Sequence, residues 1–245
     1  VSPAEVALLV GAGLAAGVAN SLAGGGSLLT VSLLVLLGLP GVLANGTNRV
    51  GILLQNGAAA WRFRAAGFSG VAGALPLLVP VLLGSVVGAW GISQVASETF
   101  ERAFGVLMIV LLVPILRGVR PASGPRRPWP RPAVFLVFLG IGLYGGAFQA
   151  GVGIPLLFAL AAAGHDLVRA NAIKVVVIFA VTAVSVPIFA WQGQIAWGPA
   201  LALGAGFLAG GELGARIAVR GGERVIRPVL TASVLVLAGH MLGLY

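Results

Sequence analysis

Long apolar stretches with almost no charge constrain this chain more than any other feature. Runs at 4–23, 27–38, 42–61, 70–91, 103–116, 133–152, 154–163, 169–191, 196–215 and 228–244 leave little polar sequence between them. Across 245 residues, 59% are hydrophobic and 9% charged, too few polar side chains to cover the outside of a water-soluble fold of this size. The reading is therefore an all-α polytopic membrane protein. The runs far exceed barrel strands of roughly 10 residues, and in lipid a helix satisfies every backbone polar group internally. Runs 27–38 and 154–163 fall short of the roughly 20 residues that a span needs. Each follows a Gly-rich break, so each is expected to be a half-membrane helix that turns back. The alternative is that the first three segments of each half all cross with strong tilt.

The chain repeats itself. An offset of 126 carries Asn45 onto Asn171, Gly38 onto Gly164, Gly67 onto Gly193, and Gly84 and Gly88 onto Gly210 and Gly214. Near the start of each half, an offset of 129 carries Gly13, Leu14, Gly17 and Gly24 onto Gly142, Leu143, Gly146 and Gly153. The expected organisation is an N-terminal repeat at 1–116, a basic Pro-rich linker at 117–132 and a C-terminal repeat at 133–245, each repeat consisting of one Gly-broken re-entrant hairpin plus three spanning helices. Arg117, Arg120, Arg126, Arg127 and Arg131 mark the linker as cytoplasmic. Counting spans from there puts Arg62, Arg64, Arg216, Arg220, Arg224 and Arg227 on the same side, so 11 of the 15 basic residues share it. The uncharged Gln192–Gln194 turn is the counterpart of the Arg62/Arg64 loop. Each repeat is rich in Arg where the other is poor, the mark of inverted-topology repeats. This sidedness places both termini outside the cytoplasm, in the inner (plasma) membrane of the cell.

Three motifs could carry chemistry. In Asn20-Ser21-Leu22-Ala23-Gly24-Gly25-Gly26-Ser27, three consecutive Gly disfavour a helix interior and leave backbone N–H groups free at the start of the next helix. Such an N-terminus attracts anions, and the competing role is close helix packing. The second motif is Asn45-Gly46-Thr47-Asn48-Arg49 with its counterpart Asn171-Ala172-Ile173-Lys174. N-capping accounts for one Asn in each. Lys174 is the only Lys of the chain, and an amine inside the bilayer is costly and usually functional. It is expected to neutralise an anion, the alternative being that it snorkels to an interface. Arg49 is read as snorkelling. The third motif is Glu212 with Arg216 at i+4, read as a structural ion pair, with proton coupling as the alternative. His165-Asp166 reads as a solvated turn. Gly84/Gly88 and Gly210/Gly214 read as packing faces, and Trp61, Trp90, Trp129, Trp191 and Trp197 as interfacial belts.

Several functions are disfavoured. Cys is absent, which excludes disulfides and thiolate metal sites. Two His and six Asp+Glu make a metal centre improbable on ligand supply, and no cofactor is expected. The net charge of +9 is accounted for by topology, so nucleic acid is not an expected partner. The expected partners are a small anionic substrate and the bilayer, with a homo-oligomer compatible with the sequence. No nucleotide-binding, Gly-x-Ser-x-Gly or His-Glu-x-x-His motif is present, which argues against an ATPase or a hydrolytic enzyme.

The run Gly13 to Ser27, then Ala44-Asn45-Gly46-Thr47-Asn48-Arg49, and Ala170-Asn171-Ala172-Ile173-Lys174, resemble the sulfite exporter TauE/SafE family of membrane permeases over essentially the whole chain. The chain departs from the family pattern in its second half. Gly151-Val152-Gly153-Ile154-Pro155 stands where a Gly-rich turn is usual, and Ile173 where Thr is usual. The resemblance implies a secondary transporter, commonly outward, of sulfite or organosulfonates. Two Gly-rich hairpins would meet near the midplane and one repeat would move against the other. A passive anion channel is the alternative. The expected substrate-binding residues are Asn20, Gly24, Gly25, Gly26, Ser27, Asn45, Thr47, Asn48, Gln149, Gly153, Asn171 and Lys174.

Overall fold

The computed structural model describes residues 2–22, 24–116, 129–222 and 224–225, with side chains up to 106 in the second of these segments. Most of the linker and the apolar run 228–244 lie outside the described residues. All regular structure among those described is helical: α1 (Pro3–Leu22), α2 (Gly26–Leu36), α3 (Gly41–Ala65), α4 (Val71–Ser93), α5 (Ser97–Leu116), α6 (Arg131–Ala147), α7 (Gly153–Ala162), α8 (Leu167–Trp191) and α9 (Trp197–Gly221). Among them α1, α4, α8 and α9 are long and apolar enough to cross a membrane. Helices α2 and α7, of 11 and 10 residues, reach about 15 Å, half a hydrocarbon core. Trp61, Trp90, Trp191 and Trp197 sit exposed near helix ends, where amphipathic rings suit the headgroup level.

The glycines matched between the halves do the same work in each. Gly38 and Gly164 sit at φ +92° and +97°, and Gly67 and Gly193 at +86° and +67°. At all four the next residue's N–H donates to the carbonyl five residues back, as in Leu39 to Leu34, His165 to Leu160, Phe68 to Phe63 and Gln194 to Phe189. This αL closure satisfies carbonyls that a helix end leaves orphaned. The remaining matched glycines let backbones touch. A Cβ on Gly13 or Gly17 would meet α9 at Leu203 and Gly210, and one on Gly142 or Gly146 would meet α4 at Val81 and Ser85. From the other side, Gly210 faces Leu14 and Gly17, while Gly84 and Gly88 face Leu139 and Leu143. Close approach of this kind drives association where lipid removes the hydrophobic incentive.

The resulting arrangement intertwines the halves. Helix α1 packs on α9, and α9 on α3; likewise α6 packs on α4, and α4 on α8. Helices α2 and α7 rest on α3 and α8 respectively. Each group of helices therefore borrows one long helix from the other half of the sequence. The groups meet chiefly where α3 packs on α8. That pair runs antiparallel, since Gly46 and Arg49 lie against Phe189 while Gly57 lies against Phe179.

The helix α3 is the exception in polarity. It has 25 residues but is not among the four apolar spans, and Asn45, Thr47, Asn48, Arg49, Gln55 and Asn56 are all buried in it. Such a helix is tolerated at membrane depth because α1, α8 and α9 enclose it.

Candidate substrate site

Both short helices begin after the chain has turned back on itself. Gly26 opens α2 directly beside Ala16 of α1, and Val152, just before α7, lies against Gly145 of α6. Gly24, at φ +91°, occupies the left-handed region that a side chain disfavours. The two reversals touch. A Cβ on Gly24 would lie 2.6 Å from Gly153 Cα, and the Gly151 N–H donates to Ser27 Oγ at 3.3 Å. The Gly-rich hairpins expected from the sequence thus meet in the protein interior.

Around that meeting point lies a cavity of about 10 Å³, room for about one water molecule. Its lining comes from Asn20, Gly24 and Ser27, from Ile52, Gln55 and Asn56 of α3, and from Gln149, Val152, Gly153 and Ile178. Three pairs in this lining stand at the repeat offsets: Asn20 with Gln149, Gly24 with Gly153, and Ile52 with Ile178. Asn20 is tied down twice, accepting from the Ser27 N–H at 3.2 Å and donating to Gln55 Oε1 at 3.1 Å. Gln149 is a non-Gly residue at φ +61°, a conformation that costs of order 1 kcal/mol and persists only where the surroundings over-determine it. Its surroundings do so: Arg49 donates to Oε1 at 3.1 Å, and Nε2 donates to Thr182 Oγ1 at 2.8 Å.

The two motif Asn residues do not cap their own helices. Helix α3 starts after Pro40, and the Asp166 side chain caps α8, accepting from the Arg169 N–H at 2.9 Å. Asn45 and Asn171 lie inside those helices. They donate instead to the last carbonyls of helices from the other half, Asn45 to Ala147 at 2.8 Å and Asn171 to Leu22 at 3.2 Å. The cations follow the same plan. Lys174 Nζ donates to the Asn20 and Ser21 carbonyls of α1 at 2.8 and 3.4 Å. Arg49 donates to Gly145, Gly146 and Ala147 of α6 at 3.2, 2.6 and 3.0 Å, with its guanidinium 4.4 Å above the Phe189 ring. Both have 0% exposure, so neither snorkels. The expectation for Arg49 is corrected for a local reason: the end of α6 presents unpaired carbonyls and the negative end of its dipole to this side chain. No ion pair engages either cation among the described residues.

Of the residues expected from sequence, Asn20, Gly24, Ser27, Gln149 and Gly153 line the cavity. Lys174 stands behind it, bonded to the Asn20 carbonyl. Asn48 Oδ1 accepts from Thr30 at 2.7 Å, and Thr47 Oγ1 accepts from the Ala196 N–H at 2.9 Å, away from the cavity. Gly25 and Gly26 build the turn without lining the cavity. Glu212 is half-buried, paired with Arg216 at 2.8 Å and Arg62 at 3.7 Å, and does not line it. Sequence reasoning missed Ile52, Gln55, Asn56, Val152 and Ile178. The available signal was polar residues in mid-run: Gln55 and Asn56 interrupt an apolar stretch whose counterparts are Val181 and Thr182.

Fold and site together define a polytopic helical membrane protein with a small polar centre assembled from two broken helices. Residues 9–241 match the family model described as sulfite exporter TauE/SafE, and the chain belongs to that family of membrane transporters. It is similar to a probable membrane transporter protein, ORF9, from a Sinorhizobium species, at 28% identity over 243 residues, covering 97% of this chain and 92% of that one. A probable membrane transporter protein of Haemophilus influenzae is 28% identical over 242 residues, covering 96% and 94%. The probable membrane transporter protein YfcA of Escherichia coli K12 is 24% identical over 247 residues, covering 99% and 91%. No solved structure gives a significant match.

Proposed function

We infer that this protein exports a small sulfur oxyanion, sulfite or an organosulfonate, across the inner membrane by alternating access, with both termini outside the cytoplasm. The observation that carries the reading is a cavity between two helix reversals, flanked by Arg49 and Lys174, two fully buried cations without a carboxylate partner among the described residues. Helix N-termini supply roughly half an elementary charge each. Arg49 and Lys174 add positive charge that acts across Gln149 and the Asn20 carbonyl rather than by contact. Among the described residues the lining contains no carboxylate to repel an anion. A cavity of about 10 Å³ is too small for sulfite, so entry requires the protein to open. This favours a moving transporter over an open channel.

The test is flux into proteoliposomes for a panel of sulfur oxyanions, carboxylates and phosphate, with and without a proton gradient. Sulfur oxyanions should move fastest. Lys174→Gln should weaken the apparent affinity of the best anion about tenfold or more, and Lys174→Arg should retain part of it. Parent-like affinity in a folded Lys174→Gln protein, or no sulfur-oxyanion flux above empty liposomes, would overturn the reading.

A further inference from the structure

The two packed groups of helices do not coincide with the two halves of the sequence. One bundle is α1, α2, α3 and α9; the other is α4, α6, α7 and α8. The cavity lies on the boundary between them. Asn20, Gly24, Ser27, Ile52, Gln55 and Asn56 come from the first bundle, and Gln149, Val152, Gly153 and Ile178 from the second. Among the side chains that reach across the same boundary are four on α3 and α8. Asn45 and Arg49, on α3, hold the end of α6; Asn171 and Lys174, on α8, hold the end of α1.

These two sets of bonds stand at opposite ends of the α3–α8 pair. Arg49 stacks on Phe189, which stands about 22 Å from Lys174 along α8 at 1.5 Å per residue. Near Lys174, Ala172 and Val175 share a packed cluster with Ala59 and Phe63 of α3. Ile52, Gln55, Asn56 and Ile178 fall between the two cations, so the cavity has one cation towards each end. The bonding at each end is also incomplete. Asn45 Oδ1, Asn171 Oδ1 and Arg49 Nε are buried without a partner. A partly satisfied buried network gives up less on opening to water than a complete one.

We propose that the bodies that move during transport are these two bundles rather than the two sequence repeats, with the Asn45/Arg49 and Asn171/Lys174 pairs as the latches that close the cavity at its opposite ends. The proposal rests on the transporter reading only in taking this cavity as the transport site. Arg49 and Lys174 act as positioning residues: releasing one latch opens one end while the other holds. With α3 entering from outside, as the Arg distribution requires, Arg49 guards the outer end and Lys174 the cytoplasmic end.

Two experiments test this. The chain has no Cys, so Ile178→Cys provides a lone reporter in the cavity wall. A membrane-impermeant maleimide is applied from each side to this protein and to the same protein carrying Arg49→Met or Lys174→Met, neither of which can donate a hydrogen bond. Arg49→Met should raise labelling from outside about tenfold, and Lys174→Met from the cytoplasm, the shift expected from losing a charge-assisted hydrogen bond. Increases from the same side in both, or no increase in either, overturn the latches. This readout needs no substrate, so it stands whether or not sulfite is transported.

The second experiment does not depend on the latch variants folding. Ser85 on α4 and Ser185 on α8 have hydroxyl oxygens 3.0 Å apart and belong to different sequence halves but the same bundle. A disulfide between Ser85→Cys and Ser185→Cys should form on oxidation and leave flux of the best-transported anion of the panel within about twofold of the reduced protein. Motion of one repeat against the other would tear at that link. A disulfide that forms and abolishes flux, or failure to form one, overturns the assignment of the moving bodies.

Discussion

Gly24→Ala separates backbone strain from the contact between hairpins, because the protein contains its own control. Gly24 and Gly38 have nearly the same backbone, at φ +91° and +92°. Moving an alanine into this left-handed region costs about 1 kcal/mol at either position. The positions differ in what a Cβ would meet: nothing within 4 Å at Gly38, but Gly153 Cα at 2.6 Å and its carbonyl carbon at 2.7 Å at Gly24. Those neighbours are backbone of the opposite hairpin, so the tips must part by about 0.8 Å to restore ordinary contact. Overpacking of this kind adds about 1–3 kcal/mol. The expected total is about 2–4 kcal/mol for Gly24→Ala against about 1 kcal/mol for Gly38→Ala. Parting the tips also breaks the Ser27–Gly151 hydrogen bond, already long at 3.3 Å, and misplaces the cavity lining. Sulfite flux should therefore fall about tenfold or more in Gly24→Ala and stay near the parent value in Gly38→Ala. Thermal unfolding of the purified proteins in detergent and flux in proteoliposomes measure the two effects. Equal stability and equal flux in the two variants would refute the contact between the hairpins.

Three further outcomes are expected. Gly146→Val should cost about 3 kcal/mol or more, because its Cβ would lie 2.7 Å from Ser85 Cα, whereas Gly140→Val on the same helix, with nothing within 4 Å, should change thermal stability by less than about 1 kcal/mol. Glu212→Gln should preserve flux with and without a proton gradient and cost at most about 1 kcal/mol, as its ion pairs with Arg216 and Arg62 are partly solvated; loss of proton-driven flux alone would restore it as a relay. Single cysteines replacing Arg64 and Gln194 should be labelled by impermeant reagents from the cytoplasm and from outside respectively, and labelling of both from one side would end the inverted-repeat reading.

Sequence alone determined what local chemistry can determine. Apolar runs dictate membrane helices whatever their neighbours, because lipid offers the backbone no partner. Broken runs beside Gly24 and Gly153 announce reversals, because glycine relieves a conformation that a side chain would strain. Two offsets, 126 and 129, make the repeat visible, and the second pairs Gly24 with Gly153. Tertiary structure decided everything that depends on which distant groups come together. Asn45, Asn171, Arg49 and Lys174 are polar residues near helix starts, and local rules read them as caps, snorkelling cations or ligands. Their partners are carbonyls at the ends of α6 and α1, separated from them by roughly 100 to 150 residues of chain. Nothing in the local sequence specifies those partners. For the same reason Gln55 and Asn56 read as isolated interruptions until α3 is enclosed by α1, α8 and α9. The exchange of α4 and α9 between the halves follows from backbones that approach at Gly84, Gly88, Gly206 and Gly210. A small residue permits such an approach, but the geometry of the whole bundle selects the helix that makes it.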